Sequence, residues 1–180
     1  MNKLLDEELV KKIEPVSLLI MDVDGVLTDG KIIIDDLGKE TKHFNVRDGH
    51  GLKMLMRTGI EIILITGRTS KVVEYRAREL GIREVYQGAK DKVKILEEIL
   101  HRKEISAKRV AYVGDDIVDI PVFKRVGFSV AVADASGYAK ESADYTTEGK
   151  GGQGAVRELS EIILKVQGKW DDIISRYGLG

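Results

Sequence analysis

The chain has 180 residues, and its 29 Lys and Arg nearly balance 30 Asp and Glu, which gives a net charge of −1. This balance argues against a protein that binds nucleic acid through charge. The absence of cysteine excludes disulfides, thiolate metal sites and cysteine nucleophiles, and makes a cytoplasmic location the default expectation. No apolar run approaches the ~20 residues of a membrane span, and the charged N-terminus does not resemble a signal peptide. We therefore expect one soluble domain over residues 1–180, with no membrane partner.

The first predicted element is a short amphipathic helix, in which Leu5, Leu9 and Ile13 recur about every four residues before Pro15. Short apolar runs without alternation then recur, separated by helical patterning. Runs of this kind are typical of parallel strands buried on both faces, and their alternation with helices indicates an α/β fold with a mostly parallel sheet and helices on both faces. The predicted strands are residues 17–21, 62–65, 84–86, 110–113 and 128–132.

Three further features complete the predicted architecture. Gly59 and Gly81 each follow a helical pattern and predict its end, and another helix ends at residues 101–103. A last helix, after the glycine-rich residues 149–154, presents one apolar face. Residues 31–34 and 41–44 flank a turn-rich connection, which predicts a small β-hairpin over residues 31–44, directly after strand one.

Acidic residues follow the first predicted strand directly. Asp22 and Asp24 are two residues apart, and placing like charges at the end of a buried strand is costly unless a cation is present. Taken alone, this segment is better explained by a helix N-cap or an Asx turn than by a cation site. In an open α/β sheet, however, ligands bind beyond the carboxyl ends of the strands, so the residues that follow the other strands matter too.

Those other strand ends carry complementary chemistry. Thr66, Gly67 and Arg68 follow the second strand, Asp115 and Asp116 follow the fourth, and Lys92 opens the helix between them. Individually, Thr66 and Asp115 could be helix caps and Lys92 a solvated charge. Together, the set offers carboxylates for a hard dication and a hydroxyl, a lysine and backbone amides for phosphoryl oxygens. This combination predicts phosphoryl transfer with a carboxylate nucleophile and a carboxylate acid and base.

The order of these segments resembles the four motifs of haloacid dehalogenase (HAD) superfamily phosphatases, with the first motif at residues 22–26. The resemblance implies a Rossmann-like fold in which Asp22 is the nucleophile and a ligand of Mg²⁺. It implies that Asp24 is the general acid and base and ligates the metal through its backbone carbonyl. The resemblance further implies that Asp115 is the third metal ligand and that Thr66 and Lys92 bind the phosphoryl group. It implies that Asp116 lies behind the metal ligands and supports them. Asp119 would either orient metal-bound water or cap the helix that Pro121 begins.

The intervals between these motifs leave no room for a cap domain. Residues 25–65 are taken up by the hairpin, a helix and a strand, and the interval between Lys92 and Asp115 holds a helix and a strand. An enzyme without a cap has an open site, so it either acts on a large substrate or uses a neighbouring subunit as a lid.

Several segments resemble a narrower family, the 3-deoxy-D-manno-octulosonate 8-phosphate (KDO 8-phosphate) phosphatases. They are residues 24–30, 46–49, 65–68 and 151–158. The resemblance implies a homotetramer whose hairpins associate and whose subunits complete each other's sites, so residues 31–44 would be an oligomerisation element. The alternative is a surface hairpin with no such role, although an isolated two-stranded hairpin is only marginally stable.

The implied substrate is a phosphorylated sugar acid with a carboxylate remote from its phosphate. Arginine suits planar carboxylates, and Arg68 and Arg76 match arginines of this family, while Gly25 and Gly67 would let the backbone approach the substrate. Arg76 could equally be a solvated helix residue. Residues 149–154 could form an anion-binding nest, a lid or a plain linker, and the tail over residues 149–180 could reach this site or a neighbour's.

Three functions are therefore compared. The first is an Mg²⁺-dependent phosphatase that forms an aspartyl-phosphate and hydrolyses KDO 8-phosphate in lipopolysaccharide biosynthesis. The second keeps this mechanism but acts on a sialic-acid-type (nonulosonate) 9-phosphate, whose enzymes differ at the position of Arg68. The third is a HAD-fold scaffold without catalysis, against which the presence of Asp22, Asp24, Thr66, Lys92 and Asp115 argues.

Overall fold

The computed structural model describes residues 6–178, which form eight strands and eight α-helices. The strands are β1 (Leu18–Met21), β2 (Ile33–Ile34), β3 (Glu40–Thr41), β4 (Glu61–Ile65), β5 (Glu84–Tyr86), β6 (Val110–Gly114), β7 (Phe128–Ala131) and β8 (Tyr145–Thr146). The helices are α1 (Glu7–Ile13), α2 (Val46–Arg57), α3 (Lys71–Leu80), α4 (Lys92–Lys103), α5 (Ile120–Phe123), α6 (Gly137–Ser142), α7 (Ala155–Val166) and α8 (Trp170–Ser175).

Six strands form one parallel sheet in the order β5-β4-β1-β6-β7-β8. The predicted α/β fold class is therefore confirmed. Strand β1 lies at the centre, and Met21 at its end pairs with Leu64 of β4 and Val113 of β6. All four β1 side chains are buried, which explains why the run is apolar without alternation. The carboxyl ends of β1, β4 and β6 meet at one edge of the sheet.

The element boundaries differ from the prediction in a few places. Strand β8 was not predicted, because two residues carry too little periodicity to be recognised. Gly81 ends α3 in the left-handed conformation, as predicted. Helix α4 ends at Lys103, also as predicted, but its left-handed cap is Glu104 rather than a glycine. Of the apolar positions predicted for the first helix, Leu5 lies outside the described residues, whereas Ile13 is buried.

The hairpin is shorter than predicted. Only Ile33–Ile34 and Glu40–Thr41 pair, in antiparallel register, instead of residues 31–34 with residues 41–44. The connection is an Asx turn, in which the Asp35 carboxylate accepts hydrogen bonds from the backbone of Leu37 at 3.0 Å and Lys39 at 2.7 Å. This turn stabilises the tip, while the chain after Thr41 leaves the ladder and runs back toward the sheet.

No cap domain interrupts the part of the chain that the structure describes. The hairpin and α2 occupy the interval between β1 and β4, and a single 3-10 turn over Ala107–Arg109 separates α4 from β6. The predicted absence of a cap is thus confirmed. Among residues 6–178, no helix is both long and apolar enough to cross a bilayer.

Candidate active site

Asp22 and Lys92 form a buried ion pair at the carboxyl edge of the sheet. Asp22 directly follows β1, and its backbone N–H donates to the carbonyl of Val113 at 3.0 Å, which extends the ladder to β6. Lys92 is the first residue of α4, and its Nζ lies 2.8 Å from Asp22 Oδ2. Both side chains are almost fully buried. The predicted nucleophile and the predicted phosphoryl-binding lysine are therefore in direct contact.

Asp119 is the centre of the hydrogen-bond network behind this pair. Its carboxylate is fully buried; Oδ1 accepts from Lys92 Nζ and from the hydroxyl of Tyr112, both at 2.7 Å. Its Oδ2 accepts from the backbone N–H groups of Asp115 at 3.0 Å and Asp116 at 3.3 Å. Although Asp119 precedes α5, its side chain does not cap that helix. Its structural role is to hold Lys92 and the loop after β6.

Asp115 lies in this loop with its carboxylate facing Asp22 and Asp119. Burial, together with the negative charges of Asp22 and Asp119, raises the pKa of Asp115 to about 7 against the opposing charge of Lys92. Gly25 makes room for this carboxylate, because a Cβ at Gly25 would lie 2.1 Å from Asp115 Oδ2. Gly25 also has a φ of +92°, which other residues rarely adopt. A glycine is therefore required here by space and by conformation.

The ion pair between Asp22 and Lys92 does not remove the cost of burying the acids. Burial raises the pKa of Asp22 above its ordinary 3.8 and outweighs the lowering effect of Lys92. Burial also opposes the charge on Lys92, but Asp22 and Asp119 outweigh it and hold the pKa of Lys92 above 10.5. One lysine therefore serves two carboxylates, and a further acid, Asp115, lies beside them. The cluster has an excess of negative charge that a cation would neutralise.

A divalent cation fits this acidic cluster. Asp22, Asp115 and Asp119 each offer a carboxylate oxygen, and these oxygens all lie within 4.8 Å of one another. Because the Asp119 oxygens already accept four hydrogen bonds, Asp22 and Asp115 are the better ligands. Carboxylate oxygens are the ligands that Mg²⁺ prefers in proteins. Asp22 and Asp115 stay the predicted ligands, and the four hydrogen bonds of Asp119 give it a different role.

We expect the metal-free protein to lose stability through Asp115 as the pH rises. Its carboxyl ionises near 3.8 in the unfolded chain and near 7 in the folded protein, so folding favours the protonated form. This contribution to stability is complete below 3.8 and is lost as the pH rises through 7. A cation binds the ionised form, so magnesium should raise the melting temperature more at about pH 8 than at about pH 5. Thermal unfolding with magnesium or with EDTA measures this, and equal increases at both pH values would contradict it.

Thr66, Gly67 and Arg68 follow β4, beside the end of β1. Thr66 is buried, and its Oγ1 accepts from the backbone N–H of Arg68 at 3.4 Å. Arg68 extends toward the hairpin and Asp24: its Nη2 donates to Glu40 Oε1 at 2.8 Å, and its Nε lies 3.7 Å from Asp24 Oδ2. A Cβ at Gly67 would meet only the carbonyl of Ala89, at 3.8 Å, so packing does not require a glycine. The substrate-binding roles of Gly67 and Arg68 stay predictions.

Two predicted residues lie apart from the acidic cluster. Arg76, on α3, pairs with Glu79 at 2.9 Å, and its guanidinium lies 5.6 Å from the ring centre of Phe44. Within residues 6–178 it has no hydrogen bond or ion pair with Asp22, Asp24 or Lys92. Asp116 is exposed, and its side chain accepts from the backbone N–H of Ile117 at 2.8 Å. Its backbone N–H donates to the Asp119 carboxylate, and its own carboxylate accepts from the backbone N–H of Asp119 in a capping box.

Lys42 is a site residue that the sequence analysis missed. It directly follows β3, its side chain is only 1% exposed, and its ammonium pairs with Asp24 Oδ1 and, at 3.3 Å, with Glu40. Glu40 and Lys42 are two residues apart in extended chain, so they share one face of the returning hairpin strand. The two-residue spacing of Glu40 and Lys42 was the sequence signal that could have identified Lys42. Nothing in the sequence indicated that this face turns toward Asp24.

The glycine-rich loop, residues 149–154, packs against the site loop of its own chain. The backbone N–H of Gly152 donates to the carbonyl of Val26 at 2.9 Å, and a Cβ at Gly151 would lie 1.7 Å from the carbonyl oxygen of Gly25. Buried Asp48 accepts from the backbone of Gly154 at 3.2 Å and Arg157 at 2.8 Å, which anchors the end of the loop at α7. Within this chain, the loop supports the backbone of Gly25.

The chain is similar in sequence to known hydrolases. A family model for haloacid dehalogenase-like hydrolases matches residues 80–159. The KDO 8-phosphate phosphatase KdsC of Escherichia coli strain K12 is 47% identical over 165 residues, which are 92% of this chain and 88% of that protein. The chain belongs to the KDO 8-phosphate phosphatase family. The resemblance stated from the sequence motifs, and the predicted phosphatase class, are therefore confirmed.

Solved structures of this phosphatase family share the fold closely. The enzyme from Yersinia pestis has a TM-score of 0.91 at 44% identity, covering 93% of this chain and 90% of its own. The enzyme from Moraxella catarrhalis, in complex with a magnesium ion, a phosphate ion and a KDO molecule, has a TM-score of 0.94 at 40% identity. That match covers 96% of this chain and 99% of the Moraxella chain.

Proposed function

We propose that this chain is an Mg²⁺-dependent phosphomonoester hydrolase that converts KDO 8-phosphate to KDO and phosphate. The observation that carries the proposal is the convergence of Asp22, Lys92 and Asp115 at one sheet edge. The similarity to KDO 8-phosphate phosphatases supports the choice of substrate. The phosphate would bind at this edge, beside Thr66 and Lys92.

In this mechanism a carboxylate oxygen of Asp22 attacks phosphorus, and the bond from phosphorus to the sugar oxygen breaks. Asp24 gives its proton to that sugar oxygen, which leaves as a hydroxyl. A water molecule then attacks the aspartyl-phosphate, Asp24 takes the water's proton, and Asp22 is restored. Lys92 orients Asp22 through the 2.8 Å contact and places positive charge beside the phosphoryl oxygens.

The proposed cofactor is Mg²⁺, held by the carboxylates of Asp22 and Asp115 and by the backbone carbonyl of Asp24. When bound, the ion supplies positive charge that stabilises the phosphoryl oxygens as negative charge develops on them. The raised pKa of Asp115, which follows from its burial and from the charges of Asp22 and Asp119, supports this assignment. Three acids at one site, two of them buried and Asp115 partly buried, are compatible with a cation among them.

Arg68 is the proposed binding residue for the sugar carboxylate. A side-chain carboxylate, that of Glu40, already occupies its guanidinium at 2.8 Å, so the position accepts a carboxylate. Arg68 is also 44% exposed, which leaves it free to turn toward a substrate. Arg76 is a weaker candidate, because its guanidinium is engaged by Glu79 and lies near Phe44.

We expect wild-type protein to release phosphate from KDO 8-phosphate with magnesium, much faster than from a sialic-acid 9-phosphate, and not with EDTA. Arg68→Ala should lower kcat/KM for KDO 8-phosphate about 10- to 100-fold, mainly through KM, because a charge-assisted hydrogen bond is lost. Activity on p-nitrophenyl phosphate, which has no carboxylate, should change little. Steady-state release of phosphate from each of the three substrates measures these effects.

The matched control is Arg83→Ala, since Arg83 is exposed and precedes β5 at the opposite edge of the sheet. Arg83→Ala should leave the activities on KDO 8-phosphate and on p-nitrophenyl phosphate unchanged. A preference for the sialic-acid 9-phosphate would replace the proposed substrate with the second candidate. An equal loss on p-nitrophenyl phosphate in Arg68→Ala would remove the carboxylate-binding role and leave the phosphatase assignment intact.

We also propose the homotetramer that the resemblance implies, with the hairpin as the oligomerisation element. Ile32, Ile34 and Leu37 are largely exposed on the hairpin, and apolar side chains grouped in this way favour burial against another protein surface. The cytoplasmic location and the place in lipopolysaccharide biosynthesis also stay predictions.

A further inference from the structure

Lys42 is buried in direct contact with the proposed general acid. Its side chain is 1% exposed, and its ammonium pairs with Asp24 Oδ1. A buried ammonium is costly unless it is paired and hydrogen-bonded, so this lysine is stable in the interior only because carboxylates surround it. Glu40 is the second partner, at 3.3 Å. The chain directly after β3 therefore places a positive charge beside Asp24.

The two oxygens of Asp24 have different surroundings. Oδ1 is occupied by Lys42, whereas Oδ2 is buried without a hydrogen-bond partner. Arg68 lies over Oδ2, but its Nε is 3.7 Å away, which is beyond hydrogen-bond distance. A buried carboxylate oxygen left without a partner is unfavourable, and such an oxygen in a native structure points to a functional role. Because Lys42 occupies Oδ1, Oδ2 is the oxygen left for a substrate.

We propose that Lys42 is the positioning residue of the general acid, because it holds Oδ1 of Asp24 and thereby directs Oδ2 toward the leaving group. The inference rests on the proposed phosphatase function and assigns a role within it. In the first step the proton on Oδ2 moves to the sugar oxygen as the bond from that oxygen to phosphorus breaks. In the second step Oδ2 takes a proton from the attacking water. Lys42 keeps its own proton throughout.

The test compares phosphate esters that lack a carboxylate and differ in the acidity of the leaving group. p-Nitrophenyl phosphate has a leaving group that needs no proton, phenyl phosphate is intermediate, and a hexose 6-phosphate has an alkoxide that must be protonated. We measure kcat/KM, which reports formation of the phosphoenzyme. Lys42→Met should lose less than about threefold on the first ester and on the order of 10²-fold on the last, because general acid catalysis contributes about that much.

The reference is Asp24→Asn, which removes the acid itself. Its losses should increase along the same series, and the double variant with Lys42→Met should lose no more than Asp24→Asn alone, because the two residues act as a unit. A loss in Lys42→Met that is equal across the three esters, or an effect confined to KM, would overturn the proposal and make Lys42 a substrate-binding or purely structural residue.

The matched control is Lys39→Met, since Lys39 is an exposed lysine of the same hairpin. It should leave all three values of kcat/KM unchanged.

Lys42→Gln is measured in parallel, because it keeps a hydrogen-bond donor and avoids placing an apolar side chain against two carboxylates. The same dependence on the leaving group is expected. If wild-type protein hydrolyses neither these esters nor KDO 8-phosphate, the proposed function fails. If wild type is active and both Lys42 variants lose activity equally on all esters, only the role of Lys42 fails.

Discussion

Asp22→Asn should abolish phosphate release, with a loss in kcat on the order of 10⁴-fold or more, as expected when a covalent nucleophile is removed. The amide is the same size as the carboxylate but cannot attack phosphorus. It also leaves Lys92 with a single carboxylate partner, Asp119, at 2.7 Å. Phosphate release from KDO 8-phosphate with magnesium measures the loss. Acid quenching should trap labelled phosphate on the wild-type chain and none on the variant.

The matched control for this variant is Asp171→Asn, because Asp171 is an exposed acid in α8, remote in sequence from the strand ends. It should retain wild-type activity. A folded Asp22→Asn protein that keeps more than about a hundredth of the wild-type rate would show that another group attacks phosphorus. Wild-type protein without turnover on any phosphate ester, with magnesium present, would favour the non-catalytic scaffold.

Asp119→Ala should produce the largest loss of stability among the site variants. The substitution removes the acceptor of four hydrogen bonds and leaves the Tyr112 hydroxyl buried without a partner. Removing one partner of a buried ion pair costs about 3–5 kcal/mol in the free energy of unfolding. Urea denaturation with EDTA measures this cost without a contribution from metal binding. We also expect kcat to fall, because Lys92 and the backbone of Asp115 lose the group that positions them.

The comparison for this prediction is Asp116→Ala. Asp116 is exposed, and its side chain accepts from the backbone N–H groups of Ile117 and Asp119 as the N-cap of a single 3-10 turn, so a loss of about 1 kcal/mol is expected. Equal destabilisation by the two substitutions would mean that Asp119 is not the centre of the network. Destabilisation by Asp119→Ala without any change in kcat would limit its role to folding.

Much of the fold was predictable because burial on both faces of a parallel sheet leaves a clear pattern in the sequence. Strands β1, β4 and β6 are short apolar runs separated by helices, and topology alone brings their carboxyl ends together. Strand β8 was missed because it has only two residues. The hairpin was predicted too long, since its ladder ends at Thr41, where the chain turns back to bury Lys42.

The sequence by itself determined the α/β architecture and which strand ends carry Asp22, Thr66 and Asp115, because periodicity and local order decide those features. Only the tertiary structure decided which side chains meet. Lys42 contacts Asp24 across 18 residues, and Lys92 contacts Asp119 across 27. Pairs of this kind depend on how the hairpin and α4 pack onto the sheet edge. Burial then selects the partner, since a charge removed from water is stable only where an opposite charge lies within reach.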